Sequence, residues 1–179
     1  MRALALDLGS DLGWALFDGH NYEFGLQDFH PDPKTEAVGK RLTRFRSWLK
    51  DMLIDSNNHI LVDQVTYELP HHRGGAATRW LVGMATIVVT ACADLDIPVD
   101  NVHTATLKKW TTGKGRAEKH EMIAAVFARW PKIVGDGERY VKPYLAEKKK
   151  RLPKDVVVLE DDEADAIALL MYTLEKHAA

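Results

Sequence analysis

Four carboxylates stand at positions where a charged side chain requires a structural reason. Asp7 interrupts the apolar start of the chain, and Glu68 ends an apolar stretch just before Pro70. Asp162 and Asp165 lie three residues apart at the start of another apolar segment, a spacing that puts both on one face of a helix. Because an isolated carboxylate in apolar surroundings is unfavourable unless it is paired or binds a metal, the four together predict a cation site.

The ligand type indicates which cation and which reaction this site would serve. Carboxylate oxygens favour Mg²⁺, with Mn²⁺ expected to substitute, over zinc. Two such ions about 4 Å apart can activate water and stabilise the leaving oxygen of a phosphodiester. Taken singly, Asp7 could cap its own turn, Glu68 could be solvated, and Asp162 could interact with a helix dipole. Asp165 is explained less well in this way, because it shares a helix side with Leu169 and should face the protein body.

The elements that position these acids follow from hydrophobic periodicity. We predict an antiparallel meander of three strands, then a fourth strand ending at Glu68 and a fifth, with helices between and after them. This order predicts an α/β fold, a mixed five-stranded sheet flanked by helices. If the first and fourth strands are neighbours, Asp7 and Glu68 lie side by side. The predicted strands cover 2–8, 14–17, about 22–29, 59–67 and 99–102, and the predicted helices begin near 35 and cover 78–93, 117–130 and 160–176. The predicted apolar stripe of the first helix is Val38, Leu42, Phe45, Leu49 and Met52.

Length and composition set the broad class. The 179 residues, 46% hydrophobic and 28% charged, are typical of one soluble domain spanning 1–179. Residues 131–155, rich in Gly, Pro and Lys without a clear period, indicate a flexible or substrate-facing insertion. Cys92 is the single cysteine, which excludes an internal disulfide framework and favours the cytoplasm. No secretory signal and no apolar run near the roughly 20 residues of a membrane span are found in the sequence, so we expect no membrane association.

Basic residues cluster although the net charge is −2. The segment 107–119, LKKWTTGKGRAEK, reads as a basic loop preceding a helix, and Gly113 and Gly115 would allow DNA to approach its backbone closely. Lysine and arginine side chains there can contact phosphates, beside a helix N-terminus that also favours anions. Solvated surface charge is the alternative interpretation. The candidate DNA-binding residues of this segment are Lys108, Lys114, Arg116 and Lys119.

Four separated segments resemble motifs of the RuvC family of Holliday junction resolvases. They are LALDLGSDLGWAL, VTYELP, LKKWTTGKGRAEKHEMI and DDEADAIAL, in that order over residues 3–169. The resemblance places the family's DNA-contacting lysines at Lys108 and Lys119. It implies an RNase H-like fold, a homodimer, and Mg²⁺-dependent paired nicks across a four-way DNA junction, in DNA recombination and repair. The family's catalytic, metal-binding carboxylates would be Asp7, Glu68, Asp162 and Asp165.

Two departures from the family pattern concern substrate preference. Where the family places an aromatic residue in the loop after the catalytic Glu, this chain has LPHHR, so His71 would take the stacking role with Arg73 beside it. The segment 131–155 is also longer than the usual connection. Both features are consistent with a divergent or phage-type member that cuts branched DNA more broadly.

Three other classes share some of these features. Phosphotransferases of the sugar-kinase and actin type also begin with a DLGSDLG-like motif, but they need a second domain for which 179 residues leave no room. A non-catalytic branched-DNA-binding relative would have no need of four acids. An RNase H-like nuclease acting on other branched DNA or on RNA, including a ribosomal RNA processing type, fits the TGKGRAEK segment less well. The sequence leaves Asp161 and Asp162 as alternative ligands, and residues 81–89 as either core or dimer interface.

Overall fold

The computed structural model describes residues 1–32, 34–70, 74–134 and 159–178. These residues form a mixed sheet flanked by helices, which confirms the predicted α/β fold. The five strands are β1 Ala3–Asp7, β2 Asp11–Phe17, β3 Tyr22–Asp28, β4 Gln64–Glu68 and β5 Val99–Val102. Their order across the sheet is β3-β2-β1-β4-β5. The first three strands are antiparallel, whereas β4 is parallel to β1 and β5 is parallel to β4.

Helices cover both faces of this sheet. They are α1 Val38–Leu53, α2 Gly75–Ala93, α3 Thr104–Thr112, α4 Lys119–Arg129, α5 Pro131–Val134 and α6 Asp161–Ala178. The first two pack on one face, and the other four contribute to the core on the opposite face. The residues that the structure describes therefore form two hydrophobic cores, and the central strands separate them.

Strand β1 belongs to both cores because its side chains alternate between the two faces of the sheet. Leu4 and Leu6 pack into the core formed with α1 and α2, whereas Ala3 and Ala5 face the core formed with α6. All four are fully buried. Since the residues under α6 are small, and α6 itself contributes alanines to this core, the helix can lie close to the sheet.

Gly13 in β2 is one point where α6 approaches the sheet closely. A Cβ atom at Gly13 would overlap the backbone carbonyl of Asp162, near the start of α6. Because that obstacle is backbone rather than a flexible side chain, any larger residue would have to displace the helix. Gly13 therefore sets how near the first turn of α6 comes to the sheet.

The first half of the segment 107–119, predicted as a basic loop, is helical. Residues 104–112 form α3, which buries Leu107 and Thr111 one turn apart. The helix ends at Gly113, whose φ of 83° is the left-handed conformation that terminates helices. The loop prediction was wrong for residues 107–112. The many lysines, threonines and glycines of this segment hid the helical spacing of its two buried residues.

Other predicted boundaries also shift. The fourth strand begins at Gln64 rather than at His59, because residues before it make only an isolated bridge between Ile54 and Ile60. On α1 the predicted Phe45 and Leu49 are buried. Arg41 and Leu53 complete the buried stripe, whereas the predicted Val38, Leu42 and Met52 are only partly buried. Residues 131–134 of the predicted insertion form α5, while 135–155 lie outside the described residues.

Helix α2 is long and apolar enough to cross a membrane by length and composition alone. This differs from the expectation that no segment approaches the length of a span. Core helices of soluble proteins pass the same test, and α2 packs one side against α1. Its buried side consists of Trp80, Met84, Val88 and Cys92.

Candidate active site

Asp7 and Glu68 end two neighbouring strands. Asp7 is the last residue of β1, and Glu68 is the last residue of β4. The strands are parallel, with Leu6 paired to Tyr67, so the next residue of each leaves the sheet at the same edge. The structure thus brings these two carboxylates together, in the way that adjacent first and fourth strands require.

The first turn of α6 brings the remaining two acids to the same edge. The Asp162 backbone lies against Gly13, and Asp165 is half-buried one turn before the fully buried Leu169. All four predicted carboxylates, with the neighbouring Asp161, line a cleft of about 750 Å³. The structure therefore assembles the predicted site, and its catalytic role stays a prediction.

Burial and mutual repulsion oppose ionisation of these acids. Burial, followed by the charges of Glu68 and Asp165, raises the pKa of Asp7 well above its usual range. Burial and then the charge of Glu68 raise the pKa of Asp165 to about 7. Burial and then the charge of Asp161 raise the pKa of Asp162 to about 6. At neutral pH the full set can ionise together only if positive charge compensates it.

A hard divalent cation fits the donors of this site. The ligand atoms are carboxylate oxygens, which Mg²⁺ and Mn²⁺ prefer. Asp165 Oδ1 is buried and has no hydrogen-bond partner among the described residues, an unfavourable state that a bound cation would relieve. The same positive charge would reduce the repulsion among the acids. The residues of the cleft are therefore consistent with the predicted metal site.

Thr104 is a member of the site that the sequence did not reveal. Its hydroxyl donates a hydrogen bond to Glu68 Oε1 at 2.6 Å, and it also lines the cleft. Thr104 begins α3 directly after β5, the strand next to β4. The available signal was its position at the end of the neighbouring strand, which places it at the same sheet edge as Glu68. Through this bond, α3 fixes the orientation of a predicted ligand.

Two of the predicted DNA-binding lysines line the cleft. Lys108 on α3 is half-buried and donates a hydrogen bond from Nζ to the Ala117 carbonyl at 2.8 Å. Lys119 at the start of α4 is exposed and pairs with the carboxylate of Asp161, and this hydrogen bond raises the pKa of Lys119. Both cations therefore stand beside the acidic cluster, from the side of α3 and α4.

The other predicted DNA-binding residues are not brought to the cleft in the part of the chain that the structure describes. Lys114 is exposed and pairs with Glu121 at 2.6 Å, an ion pair that stabilises the start of α4. Arg116 is also exposed and does not line the cleft. His71 and Arg73 lie outside the described residues. The structure thus separates the basic segment into cleft lysines and a more distant exposed pair.

Arg41 is a second cleft residue that sequence reasoning missed. It is only 8% exposed, and its Nε donates to the Phe29 carbonyl at 2.8 Å while Nη2 donates to Ser10 Oγ at 3.0 Å. Its guanidinium carbon lies 4.0 Å from the centroid of the Trp80 ring. The available signal was an arginine spaced four residues before Phe45, within the apolar stripe of α1.

A second group of candidate metal ligands lies beside the cleft. Asp11 and Asp28 are cross-strand partners of β2 and β3, and His30 Nδ1 lies 3.0 Å from Asp28 Oδ1 and 3.4 Å from Asp11 Oδ1. All three residues are exposed, and their ligand atoms lie within 4.8 Å of one another. Asp11 also lines the cleft, so this acidic triad extends the negative surface outward from the four carboxylates.

Comparisons with solved structures identify the fold. Thermus thermophilus RuvC superposes with a TM-score of 0.63 at 17% identity, covering 99% of this chain and 97% of that one. The same protein in complex with a Holliday junction substrate gives 0.63 at 18% identity, with coverage of 99% and 94%. The yeast mitochondrial Holliday junction resolvase Ydc2 gives 0.54 at 11% identity, covering 94% of this chain and 75% of that one.

These comparisons establish a structural relationship rather than a close sequence one. No protein-family model matches the sequence, and no curated protein matches it. The similarity extends over almost the entire chain and includes the five-stranded sheet with its flanking helices. The chain therefore has a RuvC-like α/β fold.

Proposed function

We propose that this protein is a structure-specific DNA endonuclease that resolves four-way junctions by Mg²⁺-dependent phosphodiester hydrolysis. The observation that carries the proposal is the meeting of Asp7, Glu68, Asp162 and Asp165 in one cleft with two lysines at its side. Acids for cation binding and lysines for phosphate binding are the parts that such a reaction needs. The proposed setting is DNA recombination and repair in the cytoplasm.

The four carboxylates would hold the metal. Asp7 is flanked by Glu68 on the adjacent strand and by the α6 acids, so it would share a cation with either side. When bound, Mg²⁺ activates the attacking water and stabilises charge on the leaving oxygen. Thr104 holds Glu68 through its hydroxyl, which limits the orientations of that carboxylate.

The cleft lysines would bind the DNA backbone. Lys108 is held in place by its bond to the Ala117 carbonyl, so its ammonium is presented from a fixed direction. Lys119 is exposed and paired with Asp161, and it could exchange that carboxylate for a phosphate when DNA enters. Such contacts give affinity that falls as salt rises.

Four-way DNA is proposed as the substrate because of the structural neighbours. Thermus thermophilus RuvC forms a complex with a Holliday junction substrate, and Ydc2 is a Holliday junction resolvase. The lysines that line the cleft can bind phosphates, which DNA of any sequence carries. Recognition of DNA shape, with contacts to phosphates, is therefore the proposed mode of binding.

A homodimer is proposed because α2 leaves an apolar surface uncovered. Val82 and Val89 are 43% and 44% exposed, and they line a groove of about 570 Å³ together with Leu69 and Pro70. Exposed apolar surface of this kind is typical of subunit contacts, and a two-fold axis lets one patch meet its own copy. Since Leu69 follows Glu68 directly, such a contact would connect the two active sites.

The proposal is tested by cleavage of a synthetic four-way junction beside a linear duplex, a flap and an RNA–DNA hybrid, with Mg²⁺, Mn²⁺ or EDTA. We expect paired symmetric nicks on the junction with either metal and no cleavage in EDTA. Asp7→Asn should abolish cleavage and retain junction binding, because it removes a ligand charge and keeps the side-chain shape.

The same experiment separates the alternatives. Cutting of flaps as well as junctions would make the protein a broader branched-DNA nuclease with the same site. Preference for the RNA–DNA hybrid would replace the substrate proposal. Tight junction binding without cleavage under any metal would instead establish a non-catalytic DNA-binding protein.

A further inference from the structure

Arg41 is buried in the cleft wall without a carboxylate partner among the described residues. Its side chain is 8% exposed, and no ion pair within those residues includes it. A buried charge is unfavourable unless something compensates it. The charged groups that act most on Arg41 are Glu36, Arg44 and Asp28. Glu36 already forms an ion pair with Arg44, with an N–O distance of 3.0 Å. The positive charge of Arg41 is thus held in place but not neutralised.

The guanidinium is fixed on three sides. It donates to the Phe29 carbonyl and to Ser10 Oγ, and it stacks on the Trp80 ring. Within the described residues, Nη1 donates to no acceptor. Arg41, Ser10 and Trp80 all line the cleft, so the remaining donors are available to a ligand there. This is a preorganised group, because its orientation is set before any ligand arrives.

We propose that Arg41, supported by Trp80 and Ser10, forms a subsite for a DNA backbone phosphate next to the one that is cleaved. This inference rests on the proposed function, since it assumes that DNA occupies the cleft. A planar guanidinium with free donors matches the oxygens of a phosphate. Because the Trp80 ring covers one face of the guanidinium, the N–H donors at the guanidinium edge can still bond to a phosphate.

The position of Arg41 explains why it would bind a flanking phosphate. Helix α1 packs on one face of the sheet, and the helices carrying Lys108 and Lys119 pack on the other. Asp7 ends the central strand between them. A DNA strand that crosses this edge therefore meets cations on both sides of the carboxylates. The lysines stand beside the acidic cluster, and Arg41 holds the strand where it continues across α1.

The first test is junction binding in EDTA, measured by fluorescence anisotropy at several salt concentrations. We expect Arg41→Gln to weaken binding about 10-fold and to reduce the salt slope by about one. Arg41→Lys should keep the salt slope but recover only part of the affinity, because an ammonium lacks the planar fork. Arg46→Gln is the matched control on the exposed side of α1 and should match the wild type.

The second test locates the phosphate by replacing single phosphates near the cut with neutral methylphosphonates. The wild type should lose about 10-fold in affinity at one flanking position, and Arg41→Gln should lose nothing further there. Equal losses in both proteins at every position, or wild-type affinity and salt slope in Arg41→Gln, would overturn the subsite. Thermal unfolding checks each variant, and Arg41→Lys carries the test if the glutamine variant does not fold.

These outcomes are separate from those for the proposed function. A protein that cuts junctions but shows no coupling between Arg41 and a phosphate would keep the nuclease and lose the subsite. A protein that shows the coupling but never cuts would keep the subsite and lose the nuclease.

Discussion

Helices α2 and α6 have nearly equal lengths, 19 and 18 residues, and very different surroundings. Helix α6 packs across β1 and β2 and against α4, and its residues 166–170 are all buried. Helix α2 buries about one residue per turn, against α1, and leaves Val82 and Val89 exposed. The helix that carries two of the predicted cation ligands is therefore held on several sides, whereas the helix with an uncovered apolar side is available for association.

The largest expected effect comes from removing a ligand on α6. Asp165→Asn should lower cleavage about 10³-fold, because losing one ligand removes several kcal/mol of transition-state stabilisation. Glu175→Gln, on an exposed turn of the same helix, is the control. Rates are compared on a four-way junction in single turnover. A near wild-type rate for Asp165→Asn would remove this residue from the site.

The next largest effect is expected from a change in how closely α6 packs on the sheet. Gly13→Ala should reduce cleavage about 100-fold, since small misplacements of reacting groups have effects of this size, and lower stability by about 2 kcal/mol. Gly39→Ala, where an added Cβ meets nothing within 4 Å, should instead be neutral or stabilising. Urea unfolding and cleavage rates measure both. If Gly13→Ala behaved like Gly39→Ala, the close approach of α6 would not control the site.

The uncovered apolar side of α2 is tested by placing a charge on it. Val82→Asp should weaken self-association by at least about 30-fold, the effect of losing about 2 kcal/mol at an interface centre. The fold should be retained, and nicks in the two strands should become uncoupled. Ile60→Asp, an exposed apolar position elsewhere, is the control. Sedimentation velocity is the measurement, and an unchanged oligomeric state would exclude this face as the subunit contact.

The smallest effect is on the pH dependence of the metal-free protein. Folding raises the pKa of Asp162 to about 6 and that of Asp165 to about 7, from about 3.8. The folded state therefore binds more protons between pH 4 and 7, so stability falls as pH rises through this window. We expect this fall in the free energy of unfolding, measured by urea unfolding in EDTA.

The pH profile of the wild type in EDTA is compared with that of Asp165→Asn and with that of the wild type in Mg²⁺. Asp165→Asn should have a flatter profile, and Mg²⁺ should stabilise the wild type most at the high end of the window. Acids with lowered pKa values, such as Asp63 beside Arg2, act in the opposite direction and mainly below pH 4. A profile that rises between pH 4 and 7 in EDTA would contradict mutual repulsion in the cleft.

The sequence predicted the sheet and the meeting of the four acids because both follow from local patterns. Alternation and strand ends located Asp7 and Glu68, and helical spacing with Leu169 oriented Asp165. The shifted boundary of β4 arose because residues 59–63 are apolar in part but make only one isolated bridge. The local composition of these residues therefore predicted a strand, although none of the described strands pairs with them.

The residues that were missed depend on contacts between distant parts of the chain. Thr104 meets Glu68 across 36 positions, and Arg41 meets Ser10 across 31. Neither pairing leaves a periodic pattern in the sequence. Helix α3 was missed for a different reason, since its short length offers only Leu107 and Thr111 as buried positions. Polar residues that support a site are thus harder to predict than the acids at its centre.

The distribution of the four acids along the chain has a consequence for biosynthesis. Asp7 and Glu68 are translated well before Asp162 and Asp165, which lie more than 90 positions after Glu68. The cleft is complete only once α6 has been made and has docked on β1 and β2. Because domains generally fold as units during or after synthesis, a nascent chain that still lacks α6 holds half of the predicted ligand set. The proposed nuclease would therefore become active only after α6 has been synthesised and has docked.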